Sequence, residues 1–168
     1  MRKTLLFLLA VLTALLVSYE AGLSLPMFGV SPDILLITLV AFSMGERPTT
    51  ASAYGFVAGL ARDMLLLSPK GLSAFAYAMT AYAVGLAGEV RSVWAVIGIV
   101  SGATFVSQVL YGFATLLLSE SATVAALPRV ALATTAYNTV LAPLLIPPLR
   151  RFVAMARSGG VHEGGTAT

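Results

Sequence analysis

An arginine and a carboxylate, Arg62-Asp63, stand side by side inside an otherwise apolar stretch of this 168-residue chain. A charge carried into a membrane costs roughly 2.5 to 3.5 kcal/mol at the helix centre, so such residues are normally paired or used. Adjacent residues on a helix point about 100° apart, so these two do not pair with each other along it. Arg62 is placed to snorkel toward the outer headgroups. Asp63 has three candidate partners: Lys70, Arg129, and the free N–H groups that begin the next helix near Gly71. A proton or ion relay would need more titratable groups than the segment holds. Asp33 directly follows Pro32, which suits a helix start, where proline fits the first turn and a carboxylate meets the positive end of the dipole. Asn138, beside Tyr137, is placed to hydrogen-bond across helices.

The rest of the chemical inventory is thin. The single histidine, His162, lies in a Gly-rich tail without partners at metal-ligand spacing. There are no cysteines, which excludes thiolate metal sites and disulfide scaffolds. No zinc-protease helix, nucleotide-binding Gly loop or serine nucleophile elbow occurs. Serine and threonine are frequent in the apolar segments, but no histidine or lysine lies there to activate them. The expectation is a protein without catalytic, cofactor-binding or metal-ligating residues, and not an enzyme.

The elements that hold these residues follow from composition. Hydrophobic residues make up 58% and charged residues 10%, against roughly 25% charged in a typical soluble domain. Mean hydropathy is +0.93. The chain reads as an all-α integral membrane protein, a compact bundle of about six transmembrane helices with a short second one. A helix needs about 20 residues to cross a hydrocarbon core of roughly 30 Å. Residues 1–157 form the membrane domain, with spans near 4–23, 31–44, 50–67, 72–88, 93–118 and 123–149, and residues 158–168 a disordered cytoplasmic tail. Met1-Arg2-Lys3 and the apolar run after it look like a signal peptide. The small-residue cleavage pattern is interrupted at Tyr19 and Glu20, so the first span is expected to be retained. The apolar stretch from Ile34 to Met44 would cover only about 16 Å as a helix and fits either a short tilted span or a re-entrant hairpin.

Charge asymmetry chooses between them. If it crosses, both termini are cytoplasmic, on a side that holds Arg2, Lys3, Arg47, Arg91, Arg150, Arg151 and Arg157. Lys70 alone is outside, with Arg62 and Arg129 in or near the membrane. If it does not cross, every later loop changes sides. The six-span arrangement in the bacterial cytoplasmic membrane is the expected one. The basic residues form no patch for nucleic acid.

Helices in lipid associate by close packing and hydrogen bonds. Small residues four apart mark candidate contact faces: Ala51, Gly55, Gly59 and then Asp63 in the third span, Ala81 and Gly85 in the fourth, Gly98 and Gly102 in the fifth, Ala10 and Ala14 in the first. Each is either an internal seam or a docking face for another membrane protein. Pro143, Pro147 and Pro148 should break or kink the last helix, and Arg150-Arg151 should stop it.

Pro32-Asp33-Ile34-Leu35-Leu36, the run Gly55–Asp63, the turn Ser68-Pro69-Lys70-Gly71-Leu72, Ala76-Tyr77 with Tyr82 and Gly85, and finally Tyr137-Asn138 with Ala142-Pro143-Leu144-Leu145 together resemble the rod shape-determining protein MreD family. Met64 to Leu67 depart from it, where serine or glycine is common. The resemblance implies a non-catalytic scaffold of the bacterial elongation complex, supporting lateral peptidoglycan synthesis and cell shape. Its implied partners are membrane lipids, an MreC-like bitopic protein, the elongation glycosyltransferase and transpeptidase, and actin-like MreB, directly or indirectly. The small-residue faces also admit self-association. The family in turn resembles the six-helix substrate-binding subunits of energy-coupling-factor vitamin transporters. That makes a solute-binding subunit the rival reading, although the outer loops are short for a lidded pocket.

Overall fold

Long apolar runs in this chain favour helices, in which every internal N–H and C=O is paired within the segment. The computed structural model describes residues 2–24, 31–65, 71–90, 92–118 and 126–158. Among them are six helices: α1 (Arg2–Ser24), α2 (Ile34–Ser43), α3 (Pro48–Leu65), α4 (Leu72–Leu86), α5 (Val93–Leu118) and α6 (Ala126–Ser158). Two stretches, Val93–Leu117 and Pro128–Ala154, are long and apolar enough to cross a membrane. The C-terminal tail from residue 159 lies outside the described residues.

The shortest helix is the centre of the molecule. α2 touches all five others, and every residue from Leu35 to Ser43 is buried. It is apolar on all sides, as a helix without a solvent or lipid face must be. Leu35, Leu36, Leu39 and Phe42 join a core with Phe7, Val11 and Tyr77. Ile37, Val40, Ala41 and Met44, offset around the helix, join a second core with Val84, Val96, Val100 and Ile146. From Ile34 to Ser43 the helix is continuous.

Ring contacts show which ends meet. Phe7 near the start of α1 packs on Phe42 at the end of α2 and stacks on Tyr54 of α3, and Phe42 packs on Phe152 late in α6. The Gly45 N–H donates to the Gly88 carbonyl over 3.2 Å, and Arg150 donates to the Val90 carbonyl. The beginning of α1, the turns after α2 and α4, and the end of α6 therefore share one end of the bundle. Asp33, the end of α3 and the start of α4 share the other.

The tightest seam is α3 against α4. A Cβ on Gly55 would meet the Tyr77 carbonyl and lie 2.8 Å from Ala78 Cα, and one on Gly59 would lie 2.5 Å from Ala74 Cα. Gly85 answers from α4, where a Cβ would come within 2.8 Å of Pro48 Cα. These small residues are internal packing. Gly98 and Gly102 are not: a Cβ on either meets nothing within 4 Å.

The last helix is not broken at its prolines. Pro143, Pro147 and Pro148 lie inside α6 without ending it, and it continues past Arg150-Arg151 to Ser158. All three prolines sit on exposed positions, where their rings displace no neighbouring helix.

Candidate functional site: a polar cluster across five helices

Most of the buried polar chemistry gathers at the end of the bundle where α2 and α4 begin. Asp33 caps α2, its Oδ1 accepting from the Leu36 N–H at 3.1 Å. Its other oxygen, Oδ2, accepts from Arg62 Nη1 at 2.8 Å and from the Tyr77 hydroxyl at 2.6 Å. Arg62 also donates to the Tyr77 hydroxyl oxygen. Its guanidinium lies 5.4 Å from the Tyr77 ring centre and 5.9 Å from that of Tyr111, within cation–π range. The Arg62 side chain is 24% exposed and that of Asp33 5%.

Arg62 therefore turns inward, not out to the headgroups. The reason is physical. An inward arginine meets a carboxylate and two aromatic faces, and the Asp33 charge, committed to the cap, would otherwise be buried alone.

Asn138 closes the cluster from α6. Its Oδ1 accepts the Asp33 N–H at 2.9 Å, and its Nδ2 donates to the Asp33 carbonyl at 3.3 Å and to Thr104 Oγ1 at 3.0 Å. Asn138 and Thr104 are fully buried. One amide thus joins α6 to α5 and to the start of α2.

Asp63 is separate and also fully buried. Its Oδ2 accepts from the N–H groups of Gly71 at 2.8 Å, Ser73 at 3.1 Å and Ala74 at 3.3 Å. This is a helix cap supplied from a neighbouring helix, with the α4 dipole opposing the burial of charge. Gly71 has φ of 102°, left-handed backbone that favours glycine. Of the three candidate partners for Asp63, the α4 N–H groups take it. Arg129 is exposed and no contact joins it to Asp63. Lys70 and Pro69 lie outside the described residues.

The structure thus unites Asp33, Arg62, Tyr77 and Asn138. It places Asp63, Gly71, Gly55 and Gly59 on the adjoining α3–α4 seam and leaves Pro143 apart, on the outer face of α6. Two members were missed in the sequence, Thr104 and Tyr111. Their signal was available: Ser101, Thr104, Gln108 and Tyr111 recur at intervals of three or four, a polar stripe along an otherwise apolar α5.

Chemically the cluster is a clamp. Asp33 is occupied by a cap, a cation and a phenol, and no nucleophile stands beside a base. Among the described residues, no three His, Cys, Asp or Glu side chains are grouped to hold a metal ion.

A family model described as rod shape-determining protein MreD matches residues 1–156 of the chain. No curated protein matches it, and no solved structure does.

Proposed function

The chain belongs to the rod shape-determining protein MreD family, a family of membrane proteins that act in bacterial shape determination, and from that premise we propose that it is a non-catalytic scaffold of the elongation complex. In this reading it binds an MreC-like single-pass protein and supports lateral peptidoglycan synthesis by the elongation glycosyltransferase and transpeptidase, coupled directly or indirectly to actin-like MreB. It is a multi-pass protein of the cytoplasmic membrane with both termini inside.

The observation that carries this reading is where the buried polar side chains spend their hydrogen bonds. Asp33, Arg62, Tyr77, Asn138 and Thr104 bond to one another, and Asp63 bonds to the α4 backbone. Groups consumed in ties between helices hold a shape, whereas a solute-binding subunit needs polar groups aimed at a ligand.

The test is affinity purification from native membranes in mild detergent, with co-purifying proteins identified by mass spectrometry. Recovery of an MreC-like bitopic protein together with cell-wall synthases is the expected result. Recovery of a transmembrane coupling protein with a pair of ATPases would overturn it in favour of a solute-binding subunit.

A further inference from the structure

The three helices between α1 and α5 are poorly equipped to enter a bilayer one at a time. α2 has 10 residues and α4 has 15, lengths of about 15 and 22 Å against a hydrocarbon core of roughly 30 Å. α3 has 18 residues and so comes nearer in length, but it carries Arg62 and Asp63, and against them stand Phe56, Val57, Leu60, Met64 and Leu65. Among the described residues, none of the three helices is one of the stretches long and apolar enough to cross.

The polar groups of α3 are met by α4, the helix made next. Asp63 accepts from the N–H groups of Gly71, Ser73 and Ala74, 8, 10 and 11 residues later. Arg62 donates to the Tyr77 hydroxyl, 15 residues later. Gly55 and Gly59 lie against the backbone of Tyr77 and Ala74. Before these contacts form, a carboxylate in α3 and the open N–H groups of the α4 start are two separate costs of entry. Paired, they offset one another. The tie from Asn138 to Asp33 spans 105 positions and comes from the last helix, so it forms only after α3 and α4 have been made.

We infer that α3 crosses the membrane only as a hairpin with α4, the Asp63 tie and the glycine seam forming during entry and the α6 ties closing afterwards. The seam then determines topology as well as stability. The inference rests on the proposed topology, in which the turn between α3 and α4 is outside.

The chain has no cysteine, so Lys70→Cys, between α3 and α4 in sequence, reports the side that this turn occupies. Pulse-labelled chains in intact spheroplasts are treated with an impermeant thiol reagent, and a second portion after permeabilisation, so that a cysteine left inside is also counted. Gly59→Leu forces α4 away from α3, because a Cβ there would lie 2.5 Å from Ala74 Cα. It should lower the outside fraction about tenfold, the effect of one uncompensated charge near a helix end. Adding Arg62→Leu and Asp63→Leu should restore the outside fraction, since α3 can then cross alone, even though the fold has lost an ion pair and a cap. Ile146→Ala opens a cavity in the core around α6 and should destabilise the folded protein without moving the cysteine. Unchanged labelling in Gly59→Leu, no recovery in the triple variant, or an equal fall with Ile146→Ala would overturn the inference and leave the topology standing. A cysteine reached only after permeabilisation in the otherwise unmodified chain would overturn the topology and the inference together.

Discussion

Asp33 is the residue on which the buried polar chemistry converges. One oxygen starts α2, and the other holds Arg62 and Tyr77. Its backbone is gripped by Asn138 on both its N–H and its carbonyl. Removing it strips the cap and leaves an arginine with only a phenol and two aromatic faces. Breaking a buried pair costs about 3–5 kcal/mol, reduced here because the guanidinium is 24% exposed. Asp33→Ala should therefore destabilise the purified protein by about 3 kcal/mol, read by SDS or thermal denaturation in detergent. Arg62→Ala should cost less, because the Leu36 N–H and the Tyr77 hydroxyl still serve the carboxylate. The double variant should lose less than the sum of the two. Strict additivity would mean that the Asp33–Arg62 contact contributes no coupling.

At the scale of the elements, the same residue type has opposite consequences on two helices. Gly59 lies where α3 and α4 touch backbone to backbone, and Gly102 faces outward from α5. Gly59→Ala should force the helices apart and lower stability by about 2 kcal/mol or more. Gly102→Ala should leave stability unchanged or raise it by up to about 1 kcal/mol, through helix propensity alone. Denaturation of the two variants side by side decides this, and equal losses would mean that Gly102 packs inside the bundle. The short α2 illustrates a related rule. A helix enclosed by five others owes its place to packing on every side, so its length need not match the bilayer.

At the scale of the whole molecule, the six helices bring the beginning of α1 and the end of α6 to one end, together with the turns after α2 and α4. Arg47 and Arg150 lie there, flanked in sequence by Arg2, Lys3, Arg91, Arg151 and Arg157. In the proposed topology, which follows the positive-inside rule, this end is the cytoplasmic one and the polar cluster belongs to the outer half of the membrane. A fluorescent protein fused after Thr168 should fluoresce, and alkaline phosphatase fused there should be inactive. A cysteine replacing Lys70 should react with an impermeant thiol reagent added to intact spheroplasts. Active phosphatase at the C-terminus would reverse the orientation.

Much of this architecture is legible one residue at a time. Helix number and class follow from apolar run length and sparse charge, which are local quantities. The Gly55–Gly59–Asp63 stripe is legible for the same reason: helical periodicity puts all three on one face, and residues that small mark a close approach. Pro32-Asp33 as a helix start is likewise a local capping signal. What the tertiary structure alone decided is the partner of each buried charge. Arg62 and Asp33 are 29 positions apart and Asn138 and Asp33 are 105 apart, and no spacing rule connects such pairs. The direction Arg62 takes, outward to headgroups or inward to a carboxylate, depends on what the folded neighbours offer. Packing likewise decided which small-residue pairs are seams, since Gly55 and Gly102 look alike until a second helix is found against one and open space beside the other.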